Sequence, residues 1–194
     1  MASAVNICNL ALAHLGERPN VSSIAPPEGS SHAEKCAQFY PIARDVALEM
    51  RNWPFALKRV ALTEVTNDSY AYQFKYALPA DCIRPVSVFI PGFSDENTDT
   101  ADFMVEGTAL YTNAETASLR YLFRQTDTGK FSPLFVNALS WLLASYLAGS
   151  ICEDKQVKNW AYDMFNRELG LGAQSSANGT QTTQSHVAPW MKNR

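Results

Sequence analysis

The chain has 194 residues, of which 46% are hydrophobic, and its 16 Lys and Arg against 19 Asp and Glu give a formal net charge of −3. This length and apolar content can bury one main core, with or without a small appended module. Because no five or six like charges cluster, the sequence does not favour nucleic acid or a membrane surface as a tight partner. The four cysteines are Cys8, Cys36, Cys82 and Cys152. They are too far apart for a CxxC redox or zinc pattern, and we expect them to be reduced and mostly buried.

Neither apolar run of the sequence is typical of a targeting or membrane segment. Residues 5–15 lack a preceding basic stretch and include three polar residues, so we do not predict a signal peptide. The longest run, residues 134–151, contains one asparagine and three serines and is shorter and more polar than a membrane span requires. We therefore expect a chain that is made in the cytoplasm and has no membrane partner.

Two helices are predicted before residue 57. Ser3 can cap a first amphipathic helix that ends at Gly16. The run Ser31-His32-Ala33-Glu34 has the spacing of a capping box and predicts the start of a second helix. Pro41 is expected to kink this helix, and Pro54 follows its end.

Between residues 58 and 123 the apolar period changes from about 3.6 to 2, which predicts strands. The clearest alternation predicts a strand with one aromatic face, made of Tyr70, Tyr72, Phe74, Tyr76 and Leu78. Four further alternating segments are residues 60–65, 86–90, 103–112 and 117–123. Together these segments predict one small antiparallel sheet, interrupted by an exposed acidic loop at residues 94–102.

Helical periodicity returns at Ser132-Pro133, a cap followed by proline at the first helical position. This third helix is apolar nearly all round and is expected to be central. A fourth helix follows Cys152 and is predicted to end at Gly170 and Gly172.

The end of the chain predicts a flexible arm with an apolar tip. Residues 173–185 are too polar to order themselves by burial. Exposed Trp and Met are common interface anchors, so we expect the tip to dock on a partner. Its residues are His186, Val187, Pro189, Trp190 and Met191.

The predicted fold class is α+β, a four-helix bundle with a small antiparallel β-module inserted between helices 2 and 3, and an extended C-terminal arm. The helical bundle comprises residues 1–57 and 127–172 and the inserted β-module residues 58–126. The flexible arm comprises residues 173–194.

The residue types that carry chemistry do not form a motif. His14 and His186 are expected to be solvated. His32 and Cys36 are four residues apart on a predicted helix, but two ligands do not complete a tetrahedral metal site. The acidic loop lacks the spacing of a calcium loop, and no phosphate-binding glycine motif is present. We therefore predict no catalytic residue, metal or cofactor, and interpret the chain as a non-enzyme.

Several stretches, taken in order, resemble a known family. They are Asn6-Ile7-Cys8-Asn9-Leu10-Ala11-Leu12 with Gly16-Glu17, Phe39-Tyr40-Pro41-Ile42-Ala43-Arg44-Asp45, Asn52-Trp53-Pro54-Phe55-Ala56 and Tyr76-Ala77-Leu78-Pro79-Ala80-Asp81-Cys82 with Ile83-Arg84. The chain is similar over most of residues 4–171 to the tail tubular protein A, or head-to-tail connector adaptor, family of tailed bacteriophages. None of these stretches is a catalytic motif.

The resemblance implies a structural virion protein of the phage neck that forms a ring, with twelve subunits expected. The ring would join the portal protein to the tail nozzle or tube protein, and DNA would pass through its lumen without specific binding. We assign the apolar tip of the arm to portal binding. Open alternatives are a tail-completion or other neck protein of a long-tailed phage, an unrecognised small hydrolase, and a nucleic-acid-binding packaging factor.

Scaffold roles are predicted for the motif residues Tyr40, Pro41, Trp53, Pro54, Phe55, Leu78, Pro79 and Asp81. Trp53 and Phe55 are expected to close the junction between the helices and the sheet. Leu78 to Cys82 are expected to form a turn in which Pro79 fixes one dihedral angle and Asp81 accepts a local backbone hydrogen bond.

Overall fold

The computed structural model describes residues 2–68, 71–90, 100–152 and 154–178. Helices α1 (Ala4–His14) and α2 (Ser31–Glu49) come first, and α3 (Pro133–Ile151) and α4 (Lys155–Asn178) come last. The strands between them are β1 (Leu57–Ala61), β2 (Thr63–Val65), β3 (Phe74–Ala77), β4 (Cys82–Phe89), β5 (Thr100–Ala101), β6 (Phe103–Glu106), β7 (Ala109–Thr112) and β8 (Ser118–Phe123).

Serine caps begin three of the helices. The Oγ atoms of Ser3 and Ser132 accept hydrogen bonds from backbone amides three residues later. Helix α2 begins at Ser31 as predicted, but its cap is Ser30, whose Oγ accepts from the amide of Ala33 at 3.2 Å, so the capping box was placed one residue too late. The helix continues through Pro41.

Helix α3 is the centre of the helical layer, because α1, α2 and α4 all pack against it. From Ala138 to Ala148 every residue of α3 except Tyr146 is buried. The helix is long and apolar enough to cross a membrane, but 61% of that apolar window is buried inside the protein. This burial is what a core helix requires.

The predicted fold class, a four-helix bundle with one small antiparallel β-module, is wrong. Strands make up 24% of the chain and form two four-stranded antiparallel sheets. Sheet 1 has the order β1-β8-β4-β5 and sheet 2 the order β2-β3-β7-β6. The predicted strand at residues 60–65 is divided between them at Leu62, whose amide donates to the carbonyl of Ala117 at 2.8 Å. Alternation identifies strands but not their partners, which is why a single sheet was predicted.

The helices, sheet 1 and sheet 2 are stacked as three layers. Leu57 and Leu122 of sheet 1 pack in the helical core. Leu119 and Tyr121 lie in a second core together with Tyr76 of sheet 2. Since successive strand residues point to opposite faces, β8 contributes to both cores. Sheet 1 is therefore covered on both faces.

The predicted aromatic strand is shorter than expected. Only residues 74–77 form β3; Tyr72 lies outside any strand, and Tyr70 lies outside the described residues. Tyr76 is buried, and its hydroxyl donates to the carbonyls of Ala114 and Glu115 at 2.8 and 2.6 Å. These bonds favour packing over a base-stacking role for this face, since the ring of Tyr76 is not accessible.

The arm begins later than predicted. Helix α4 continues through Gly170 and Gly172 to Asn178, so residues 173–178 are helical and the prediction of an extended arm from 173 is wrong. Glycine lowers helix stability by about 1 kcal/mol but does not by itself end a helix. The tip residues His186, Val187, Pro189, Trp190 and Met191 lie outside the described residues, as do Asp95, Glu96 and Asp99 of the acidic loop.

An aromatic cluster joins α2, α3 and the start of sheet 1. Trp53 and Phe55 each contact the ring of Phe135, with centroids 5.0 and 5.1 Å apart, and Phe131 lies 4.7 Å from Phe135. The Nε1 atom of Trp53 donates to the carbonyl of Ala47 at 2.9 Å. The cluster therefore fixes the direction in which the chain leaves α2.

Replacing Trp53 by Ala should destabilise the protein by about 3–5 kcal/mol, because it empties a buried site and leaves a carbonyl unpaired. Urea denaturation measures the loss. The matched control is Trp160→Ala: Trp160 is 49% exposed, so its removal should cost no more than about 1.5 kcal/mol. Equal losses in the two variants would contradict a central role for Trp53.

Candidate functional site

The family-like stretches meet where the helices contact sheet 1. In the stretch from Phe39 to Asp45, the Oδ1 atom of Asp45 accepts from the guanidinium of Arg44 at 2.7 Å. Its Oδ2 atom accepts from Nε of Arg124, one residue after β8, at 2.9 Å. Asp45 thus joins α2 to the end of a central strand of sheet 1.

A second contact joins two of the stretches directly. The Nη2 atom of Arg84 on β4 donates to Oδ1 of Asn52 at 2.6 Å. Next to it, the guanidinium of Arg51 lies 5.2 Å from the ring centroid of Trp53 and donates to the carbonyl of Leu169 on α4 at 3.1 Å. The end of α2 is therefore held by both sheet 1 and α4.

Asp81 has a different role from the predicted local backbone bond. Its Oδ2 atom accepts from Nζ of Lys58 at 2.7 Å and its Oδ1 atom from the hydroxyl of Tyr121 at 2.9 Å. The bond from Lys58, with that from Tyr121, lowers the pKa of Asp81 below its usual range. Burial, with the bond to Asp81, raises the pKa of Tyr121 to about 12. The turn is closed by the amide of Cys82, which donates to the carbonyl of Pro79 at 3.0 Å.

His14 was predicted to be solvated, and this prediction is wrong. Its ring stacks on Trp141 of α3, with centroids 3.6 Å apart and planes 8° from parallel. Its Nε2 atom lies 3.0 Å from Oγ of Ser140. Burial lowers the pKa of His14 below its usual value. The sequence could not reveal this contact, because it depends on how α1 packs against α3.

The pair His32 and Cys36 is not brought together as a metal site. His32 is only partly buried, with its Nδ1 atom 3.2 Å from Oδ1 of Asn20, whereas Cys36 is fully buried. A hydrogen bond with Cys36, together with burial, raises the pKa of Cys8, which keeps that thiol protonated and unreactive. Within the part of the chain that the structure describes, no group of three His, Cys, Asp or Glu side chains could hold a metal ion.

One cavity, of about 260 Å³, opens beside sheet 2. Among the described lining residues, the one carboxylate is that of Asp102, and the Thr112 hydroxyl donates to the backbone carbonyl of Asp102 at 2.8 Å. The described lining contains no histidine or lysine that could activate this hydroxyl. Its lining consists of Ile90, Ala101, Asp102, Thr112, Asn113 and Ala114.

The helical layer carries several exposed apolar side chains. Ile42 (53%) and Met50 (45%) are exposed on α2, and Tyr162 (42%) and Leu171 (47%) are exposed on α4. Tyr162 and Leu171 are nine residues apart and therefore lie on opposite sides of α4. On α3, the ring centroid of the partly buried Tyr146 lies 6.4 Å from that of Phe39 on α2. Burial raises the pKa of Tyr146.

A second set of exposed apolar side chains lies in the β-layers. Met104 and Val105 are 37% and 39% exposed on β6, an edge strand of sheet 2. Val65 on the opposite edge strand is 37% exposed. Sheet 2 is separated from the helices by sheet 1, so the exposed apolar side chains of β6 and those of α2 and α4 lie in different layers.

Comparison with known proteins gives no identification. A scan against protein-family models and a search of curated protein sequences both return no match to this chain.

His14→Gln should reduce the loss of thermal stability at acidic pH. Because the pKa of His14 is lower in the folded chain than in the unfolded chain, the unfolded state binds more protons as the pH falls below about 6.5. The wild-type melting temperature should therefore fall more than that of the variant when the pH is lowered from about 7.5 to about 5.5. The control His32→Gln should keep the wild-type dependence of the melting temperature on pH. Identical curves for His14→Gln and wild type would exclude the half-buried His14 as a cause of that dependence.

Tyr121→Phe should destabilise the protein by about 1 kcal/mol, since it removes a buried hydroxyl that donates to Asp81. Urea denaturation with an unchanged m-value would report this loss. Tyr162→Phe is the matched control: that hydroxyl is on an exposed residue, so the change should stay within about 0.5 kcal/mol. A loss no larger than the control's would mean that the bond to Asp81 adds nothing to stability.

Proposed function

We propose that this chain is a ring-forming structural subunit of a phage neck, an adaptor that joins the portal to the tail around the DNA channel. One observation carries the proposal: three stretches that resemble the adaptor family all contribute to one junction. Asp45, Asn52 and Asp81 each tie a different part of the chain to sheet 1. A rigid junction of this kind suits a subunit whose task is to hold shape.

Exposed apolar side chains in two different layers of the fold support the proposed ring formation. A ring closes through heterologous contacts, in which each subunit presents one surface to one neighbour and a different surface to the next. The β6 edge and the helical layer are separated by sheet 1, as such contacts require. An edge strand with exposed apolar side chains is also a ready site for pairing with another chain.

The charge of the chain is compatible with DNA passage. A channel through which DNA slides should not hold phosphates tightly, because each neutralised phosphate adds to affinity. The formal net charge of −3 and the absence of basic clusters fit that requirement. We propose that His186, Val187, Pro189, Trp190 and Met191 contact the portal.

The decisive experiment is the mass of the protein alone and mixed with portal protein, measured by native mass spectrometry. We expect a portal complex that gains one copy of this chain per portal subunit. Val105→Glu should reduce this gain, since it places a charge on the β6 edge. The matched control Gln156→Glu adds the same charge at an exposed position on α4 and should assemble normally.

If the portal mass stayed unchanged under conditions where the protein is folded, the adaptor function would be excluded. If Val105→Glu and the wild type assembled equally, the β6 edge would be excluded as a ring contact. The adaptor role would then be supported only by the mass of the portal complex.

A further inference from the structure

The strands of sheet 1 have an uneven charge. Within their bounds they carry no acidic residue and four basic residues, which are Lys58, Arg59, Arg84 and Arg120. These residues come from three strands that are distant in the sequence, so only the fold brings them together. Lys58 donates to Asp81 at 2.7 Å and Arg84 to Asn52 at 2.6 Å. The positions of Arg59 and Arg120 need a different explanation.

Arg59 and Arg120 are directly opposite each other on β1 and β8. Opposed side chains on one face of a sheet have Cβ atoms about 4.5–5.5 Å apart, and like charges at this distance destabilise the sheet. No ion pair between described residues involves Arg120. An anion that contacts both guanidinium groups would replace their repulsion by attraction.

The helices cover this face of sheet 1 only over part of its length. Leu57 and Leu122 belong to the helical core and are two residues from Arg59 and Arg120, so the four side chains share a face. Phe89 lies on the same face but is not part of the helical core. We call the part beyond the helical core the arginine face; its exposed or partly exposed residues are Arg59, Ser87, Phe89, Ser118 and Arg120.

The arginine face presents donors suited to a phosphate group. The guanidinium of Arg59 lies 5.5 Å from the ring centroid of Phe89, a contact that orients it. Arginine has five N–H donors, so contacts within the protein leave donors for a ligand. Ser87, opposite Arg120, adds a hydroxyl. The strands of sheet 1 contain no Asn or Gln, which are the usual readers of adenine, so these donors favour the nucleic-acid backbone over its bases.

We propose that the arginine face binds the phosphate backbone of double-stranded DNA without reading its sequence. A duplex carries one negative charge per about 1.7 Å of its axis, which suits two adjacent cations better than a single carboxylate does. Two neutralised phosphates give weak, salt-dependent binding that lets DNA slide. The inference deepens the proposed function by naming the surface that faces the channel, and the choice of DNA as the anion rests on that function.

Fluorescence anisotropy of a fluorescein-labelled DNA duplex, titrated with the full-length protein at several salt concentrations, tests the proposal. The logarithm of the binding constant should fall with the logarithm of the salt concentration with a slope of about −2, because each neutralised phosphate contributes about −0.9. Arg120→Gln should make this slope shallower by about 1. A duplex of different sequence should bind equally well.

The matched control is Arg167→Gln, which removes the same charge from an exposed position on α4 and should keep the wild-type slope. Arg120→Lys keeps the charge and should keep most of the slope. The urea midpoint of Arg120→Gln should be no lower than that of the wild type, since one of two opposed like charges is removed. Loss of DNA binding in a variant of unreduced stability then reports the contact itself.

Three results would overturn the proposal. The first is no change in anisotropy at the lowest salt concentration, and the second is an equal slope for Arg120→Gln and Arg167→Gln. The third is competition by poly-glutamate, at equal charge concentration, that matches competition by unlabelled duplex; it would assign the face to an acidic protein segment. A portal complex observed by mass together with any of these results would leave the adaptor function in place and exclude only the DNA contact.

Discussion

Helix α3 presents apolar side chains in every direction, so every side of it must be covered by another part of the chain. Helices α1, α2 and α4 cover most of its length, and the rings of Trp53, Phe55 and Phe131 cover its first turns at Phe135. This requirement explains why the chain supplies helices both before and after its strands. It also explains why a segment between α2 and β1 carries two large aromatic residues in three positions.

Sheet 1 depends on the same core, since one of its faces is buried by the helices and the other by sheet 2. Three of its polar contacts lie at or near the ends of its strands. Arg84 bonds to Asn52, Arg124 to Asp45, and Asp81 to Lys58. Each exposed pair adds about 0–1 kcal/mol. Their importance is therefore geometric: the contacts of Asn52 and Asp45 join the helical layer to sheet 1, and the contact of Asp81 with Lys58 joins the start of β4 to β1 within that sheet.

Local signals were the part of the fold that the sequence predicted well. Ser132-Pro133 begins α3 because a cap and a proline act within one turn. Pairing between distant segments was not predicted: nothing near Leu62 shows that the chain changes sheets there, and nothing near His14 reveals the ring of Trp141.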